Sequence, residues 1–186
     1  MKLGRKSIWG FGAMVLGILA LGTCATAPRS MGPELLKNGD FRDGLRGWGQ
    51  HQASGAKANF ETQEGGVRIT VVNTGASSGD IQLNQAAPGI AIRKGKTYVL
   101  ELEASCSVAA TVPVTLSENG NDINRDGFAW SPHARAQLNL SPGVRTIRAN
   151  LTADADNPKA SILFLLGRTR ASAVLTFARI SLRELQ

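Results

Sequence analysis

The sequence is poor in the side chains that most enzymes use for chemistry. Only two histidines, His51 and His133, occur in 186 residues, and neither lies in a nucleophile motif such as G-x-S-x-G. A P-loop, a Rossmann glycine pattern and a C-x-x-C motif are also missing from the sequence. These absences argue against nucleotide-dependent, redox and acyl-transfer enzymes.

Cysteine is equally scarce, since Cys24 and Cys106 are the only two. Cys106 ends an apolar run, so we expect a buried, unpaired and inert thiol. The alternative is a disulfide bond between Cys24 and Cys106.

Acidic residues are fewer than basic ones, 14 against 21, which gives a net charge of +7. Lys2, Arg5 and Lys6 lie in the first 23 residues, which contain no acid, so the remaining 18 basic and 14 acidic residues leave +4. No basic tract is interleaved with aromatic residues. The sequence therefore predicts no nucleic-acid partner.

The N-terminal segment, residues 1–27, has the features of a bacterial signal. Its apolar stretch, residues 8–21, is shorter than the roughly 20 residues that span a bilayer. The sequence that ends at Cys24 is similar to a lipobox, which predicts that Cys24 is lipidated and that residues 28–33 tether a domain to the cell envelope. Cleavage after Ala27, giving a secreted protein, is the first alternative, and an uncleaved anchor is the second.

Short apolar runs separated by Gly, Asn and Pro predict an all-β domain over residues 34–186. In the run 81–85, for example, Ile81 and Leu83 should face inward while Gln82 and Asn84 face outward. Pro113 lacks an amide hydrogen, so the strand that holds it should be an edge strand or bulged. About ten such strands without a helix predict a two-sheet β-sandwich.

The segment that opens this domain resembles carbohydrate-binding modules of the family 4/9/22 type. The shared pattern is N-G-x-F-x-x-G-L-x-G-W, and further matches follow in order along nearly the whole domain. The opening residues are Asn38, Gly39, Phe41, Gly44, Leu45, Gly47 and Trp48. The later matches are Gln82, then Gly95 with Tyr98 and Leu100, then the final strand 176–182.

The resemblance implies a jelly-roll sandwich, similar to galactose-binding domains, that binds glycans on a concave sheet face without catalysis. It also implies that Gln82 presents an amide in the cleft and that Trp48 packs in the core. Arg42 and Ala178 stand where the family often has acids that help hold a structural calcium. We therefore expect that calcium site to be absent or weakened here.

The loop 117–132 is the most distinctive polar segment. Phe128 and Trp130 could stack on sugar rings, while Gln82, Asn84 and Glu118 bond the hydroxyl groups. The alternatives are that these rings plug the end of the sandwich and that the loop is simply solvated.

A calcium loop is another interpretation of this segment. Asp122, Asn124 and Asp126 match the first half of an EF-hand-type loop, but His133 occupies the position that needs a bidentate Glu. Calcium is therefore only a secondary cofactor hypothesis, and we predict no other cofactor.

The sequence thus predicts a non-catalytic module that binds a polysaccharide or oligosaccharide and is attached to the membrane through a lipid on Cys24. The second hypothesis is a structural or protein-interaction sandwich that has lost glycan binding. The third is a distant glycoside hydrolase or lyase, because Glu101 and Glu103 lie about 7 Å apart on one strand face.

Overall fold

The computed structural model describes residues 30–53, 55–118 and 132–186. Within these ranges the protein consists of eleven β-strands and one short 3-10 turn, Ser78–Asp80, with no α-helix. No helical segment in the described part is long and apolar enough to cross a membrane. The strands are β1 (Met31–Glu34), β2 (Gly49–Gln52), β3 (Lys57–Gln63), β4 (Gly66–Asn73), β5 (Ile81–Ile92), β6 (Thr97–Cys106), β7 (Ala110–Ser117), β8 (Pro132–Leu140), β9 (Arg145–Thr152), β10 (Asn157–Leu165) and β11 (Val174–Leu185).

The strands form two antiparallel sheets. Sheet A has the order β3-β4-β11-β6-β9, with β1 added beside β11, and sheet B has the order β2-β5-β10-β7-β8. Alternate residues of both sheets, such as Leu100 and Phe177 in sheet A and Leu83 and Phe164 in sheet B, are fully buried. Burial of each such side chain stabilises the fold by roughly 1.5–3 kcal/mol. The predicted two-sheet β-sandwich is confirmed.

The segment between β1 and β2 folds back onto this core. The rings of Phe41 and Trp48 stack with their centroids 5.2 Å apart, and Trp48 lies 6.3 Å from Phe164 of sheet B. The indole N–H of Trp48 donates to the carbonyl of Asn38 at 2.9 Å. The burial of Trp48 in the core, expected from the sequence, is therefore observed.

Asn38 holds the same segment in shape. Its φ of 49° lies in the left-handed region, which Asn adopts more readily than most residues. Its Nδ2 donates to the carbonyls of Gly44 and Arg46 at 2.9 and 3.0 Å, and its Oδ1 accepts from the Asp43 N–H at 3.1 Å.

Strand β1 and strand β11 join the two ends of the described chain. Because β1 begins at Met31, residues 31–33 of the predicted tether lie in sheet A. Glu34 connects β1 to β11, since its carboxylate accepts hydrogen bonds from Ser181 Oγ at 2.5 Å and from the Leu182 N–H at 2.9 Å.

Two local features differ from the sequence-based expectation. The polar stretch 50–57 predicts a loop, but its first three residues lie in the edge strand β2, whose polar side chains give no alternating signal. The strand with Pro113 is interior, between β10 and β8, and is not an edge. The ladder between this strand and β10 covers residues 114–117 and therefore stops one residue short of Pro113. The missing amide hydrogen costs little there.

Cys106 is a free thiol that is fully buried at the end of β6. This matches the expected buried, unpaired thiol. Cys24, the other member of the alternative disulfide, lies outside the described residues.

Candidate functional site

The outer face of sheet A is occupied by oppositely charged side chains that pair with each other. Arg179 Nη1 lies 2.5 Å from Glu103, and Arg183 Nε lies 3.4 Å from Glu34. Although partial burial raises the pKa of Glu34, hydrogen bonds from Ser181 and from nearby backbone N–H groups lower it below its ordinary value. Two basic side chains of sheet A are therefore neutralised by glutamates of the same sheet.

Glu101 and Glu103 lie on this outer face of sheet A. Glu103 is engaged by Arg179, and Glu101 lies beside Arg148 of β9 and Ser181 of β11. The two carboxylates therefore do not converge in a cleft of their own, as a glycosidase would require. Within the described ranges no group of three His, Cys, Asp or Glu side chains is arranged to hold a metal ion.

The outer face of sheet B is different, because it is formed mainly by neutral polar and small apolar side chains. One row of neighbouring residues crosses the sheet from β2 to β10 and consists of His51, Gln82 and Leu165. On the next two strands, β7 and β8, Pro113 pairs with Gln137. The next row carries Gly49, Asn84, Leu163 and Thr115.

A groove of about 380 Å³ lies on this face of sheet B. Leu165 of β10 and Pro113 of β7 give it an apolar floor, and hydroxyl, amide and guanidinium groups border it. The described lining residues are Ser77, Ser78, Thr111, Pro113, Gln137, Leu165, Arg168 and Thr169.

Two loops that touch each other build one side of the groove. Gly167 donates its N–H to the Ser78 carbonyl at 2.8 Å, and its own carbonyl accepts from the Gly75 N–H at 2.7 Å. A Cβ at Gly167 would lie 2.2 Å from the Ser77 carbonyl oxygen, so only glycine permits this approach. The contact sets Ser77 and Arg168 beside the floor.

Gln82 is the most unusual polar group on this face. It is only 2% exposed, although it projects from the outer side of β5 beside Leu165. Its Nε2 donates to the Gly79 carbonyl at 2.7 Å, while its buried Oε1 has no hydrogen-bond partner in the described part of the chain. An unpaired buried acceptor is costly, so this position favours a ligand hydroxyl or a water molecule as donor.

The three predicted binding residues that the structure describes lie at different distances from the groove. Gln82 lies in the row of the groove floor, and Asn84 lies one row further along β5 against Gly49. Glu118 follows the opposite end of β7, about 17 Å from Pro113 along the strand. Its Oε1 is 3.9 Å from His133 Nε2.

The remaining predicted residues cannot be compared with the structure. Phe128 and Trp130, the calcium-loop residues Asp122, Asn124 and Asp126, and the lipidation residue Cys24 all lie outside the described residues. Their roles remain predictions from the sequence.

Most of the groove residues were missed by sequence reasoning. Leu165 lies in the continuous apolar run 161–166, which indicates either a strand covered on both faces or the floor of a groove. Arg168 and Thr169 follow that run in a short loop without a motif. The available signals were this apolar run and Gly167, the glycine that ends it.

Comparison with known proteins agrees with this architecture. A family model described as a carbohydrate-binding domain (CBM_4_9) matches residues 33–172. Endoglucanase C of Cellulomonas fimi is 28% identical over 185 residues; the match covers 92% of this chain but only 15% of that protein.

Solved structures with the same fold include carbohydrate-binding domains. A structure described as "CBM4 structure and function" superposes with a TM-score of 0.65 at 22% identity, covering 80% of this chain and 98% of that one. The N-terminal cellulose-binding domain of Cellulomonas fimi β-1,4-glucanase C gives a TM-score of 0.58 at 24% identity, covering 78% and 93%.

Proposed function

Because this chain belongs to the CBM_4_9 family of carbohydrate-binding domains, we propose that it binds a polysaccharide in the groove on the outer face of sheet B. The groove combines a flat apolar floor with polar borders, as a sugar ring requires, since its faces are apolar and its edges carry hydroxyl groups. Leu165 and Pro113 would contact a ring face, and Gln137, Thr111 and Ser77 would bond its hydroxyls.

The observation that carries the proposal is the apolar floor of Leu165 and Pro113 with hydroxyl and amide groups at its border. Gln82 lies in the same cross-strand row as Leu165 but is not among the described lining residues, so its buried Oε1 would reach a sugar hydroxyl through a bridging water molecule. Phe128 and Trp130, which lie outside the described residues, remain the stacking residues that the sequence nominates.

We propose further that the module does not catalyse. No carboxylate is among the described residues that line the groove, whereas glycoside hydrolysis ordinarily needs two. The role would therefore be to hold a glycan close to the protein.

The groove is tested by a double variant on sheet B, Thr111→Val with Gln137→Ala. Both side chains lie on or beside the edge strand of the groove, so we expect an affinity about 10-fold weaker for the glycan that the wild type binds. Isothermal titration against a panel of β-glucans, xylans and mannans measures this.

The matched control is Asn150→Ala with Thr152→Val on β9, the edge strand of sheet A. These two side chains are exposed on the outer face of the opposite sheet. Equal losses in both double variants, or no loss in the sheet B variant, would place the glycan elsewhere.

We propose, finally, that the protein is attached to the cell envelope through a lipid on Cys24. The support is the sequence that precedes this cysteine. Mass spectrometry of the mature protein should find an N-terminal diacylglyceryl cysteine, which Cys24→Ala abolishes. A mature N-terminus at Pro28 without lipid would instead indicate secretion.

A further inference from the structure

The groove on sheet B carries one charged side chain. Among its described lining residues, Arg168 is the only ionisable group. A ligand in this groove would therefore meet a positive charge that no lining carboxylate offsets.

Arg168 is held in place at the rim. Its Nη2 donates to the Ala76 carbonyl at 3.0 Å, and the neighbouring Gly167 is fixed by backbone hydrogen bonds to the 75–78 loop. A guanidinium has five N–H donors. One such hydrogen bond orients the group and leaves the other four donors for a ligand.

Some basic side chains of the described chain are neutralised by acids, but Arg168 is not one of them. Arg179, Arg183 and Lys96 each pair with a glutamate on sheet A. Within residues 30–53, 55–118 and 132–186, no carboxylate lies within 4.0 Å of Arg168.

Asp80, in the loop that Arg168 touches, is already engaged. Its carboxylate accepts from the Ser77 N–H at 2.9 Å and from Ser77 Oγ at 3.0 Å. The Ser77 backbone hydrogen bond lowers the pKa of Asp80, so this carboxylate stays charged but is used within its own turn.

We propose that the polysaccharide bound in this groove carries carboxylate groups, and that a uronic acid unit places its carboxylate on Arg168. This inference rests on the proposed function of the same groove. The planar fork of Arg matches a carboxylate with two parallel hydrogen bonds, which a hydroxymethyl group cannot replace. The hydroxyls of Ser77 and Ser78, next to Arg168, would contact the same sugar unit.

The test compares each polyuronate with its own neutral counterpart. Polygalacturonate and alginate are titrated into the purified protein before and after chemical reduction of their carboxyl groups to hydroxymethyl groups. We expect one polyuronate to bind about 10- to 100-fold more tightly than its reduced form, and added sodium chloride to weaken that preference.

Arg168→Gln should abolish this preference, so that a polyuronate and its reduced form bind the variant with equal affinity. Arg170→Gln is the matched control, because Arg170 is exposed in the same loop but is not among the groove residues. Equal effects of the two variants would mean attraction by net charge alone and would overturn the proposal.

The remaining outcomes separate this inference from the proposed function. If the folded protein binds a neutral glucan or xylan but no polyuronate, the inference fails and the proposed function stands. If it binds no polysaccharide, both fail. Binding to a sulfated glucan through Arg168, without binding to polyuronates, would overturn the assignment of a carboxylate.

Discussion

Single polar side chains hold the conformation of segments that lie outside the two sheets. Asn38 is the clearest case, since one amide holds three backbone groups of the segment between β1 and β2. That segment delivers Phe41 and Trp48 to the core. The hydrogen bonds of Asn38 therefore support apolar packing some distance away from its own amide.

Asn38→Ala should destabilise the protein by about 2–3 kcal/mol. It removes three hydrogen bonds, each contributing roughly 1 kcal/mol, and places a residue less suited to positive φ at this turn. Urea denaturation followed by circular dichroism measures the change.

Asn59→Ala is the comparison, because Asn59 is exposed on β3 and should change the free energy of unfolding by less than about 0.5 kcal/mol. Similar losses in the two variants would show that Asn38 has no special role in the segment.

At the scale of elements, Glu34 is the link between the first and the last strand. Its carboxylate also accepts from the N–H groups of Leu35 and Leu36 at 3.1 and 3.0 Å, which turn the chain out of β1. The carboxylate of Glu34 thus connects β1 with β11 and also binds the backbone of the two residues that follow β1.

Glu34→Gln should lower the melting temperature at neutral pH by a few degrees. Because the folded-state pKa of Glu34 is depressed, its contribution is fully present above the ordinary value of 4.5 and is lost as the pH falls through the folded-state pKa. The difference between wild type and variant should therefore shrink as the solution is acidified below pH 4.5.

Calorimetry of both proteins over a pH series measures this, with Glu184→Gln as a surface control. Glu184, on β11, is paired with Lys96 at 3.3 Å, and such a surface pair contributes little. A difference between wild type and Glu34→Gln that does not depend on pH would contradict the assigned role of the carboxylate.

At the scale of the molecule, the sequence was informative wherever one side of a strand is buried. The alternation of apolar residues in β4 and β6 predicts these strands and their buried faces, because the inner side of sheet A is apolar. It failed for β2, which has no large apolar residue and is held by pairing with β5.

The groove could not be predicted in the same way. Its floor combines Pro113 and Leu165, about fifty residues apart in sequence, and its rim depends on two loops that meet at Gly167. Only the pairing of strands brings these together. Gln82 was nominated correctly as a residue of the outer face, but its burial and its unpaired oxygen depend on neighbours that the sequence does not reveal.

The pairing of β1 with β11 also determines where the polypeptide enters and leaves the sandwich. Ser30 and Gln186 are joined by a backbone hydrogen bond of 2.9 Å. Both connections therefore emerge at one point of sheet A, while the groove opens on sheet B. A domain with this geometry can be spliced into a surface loop of a host protein with short linkers, because its two ends lie side by side.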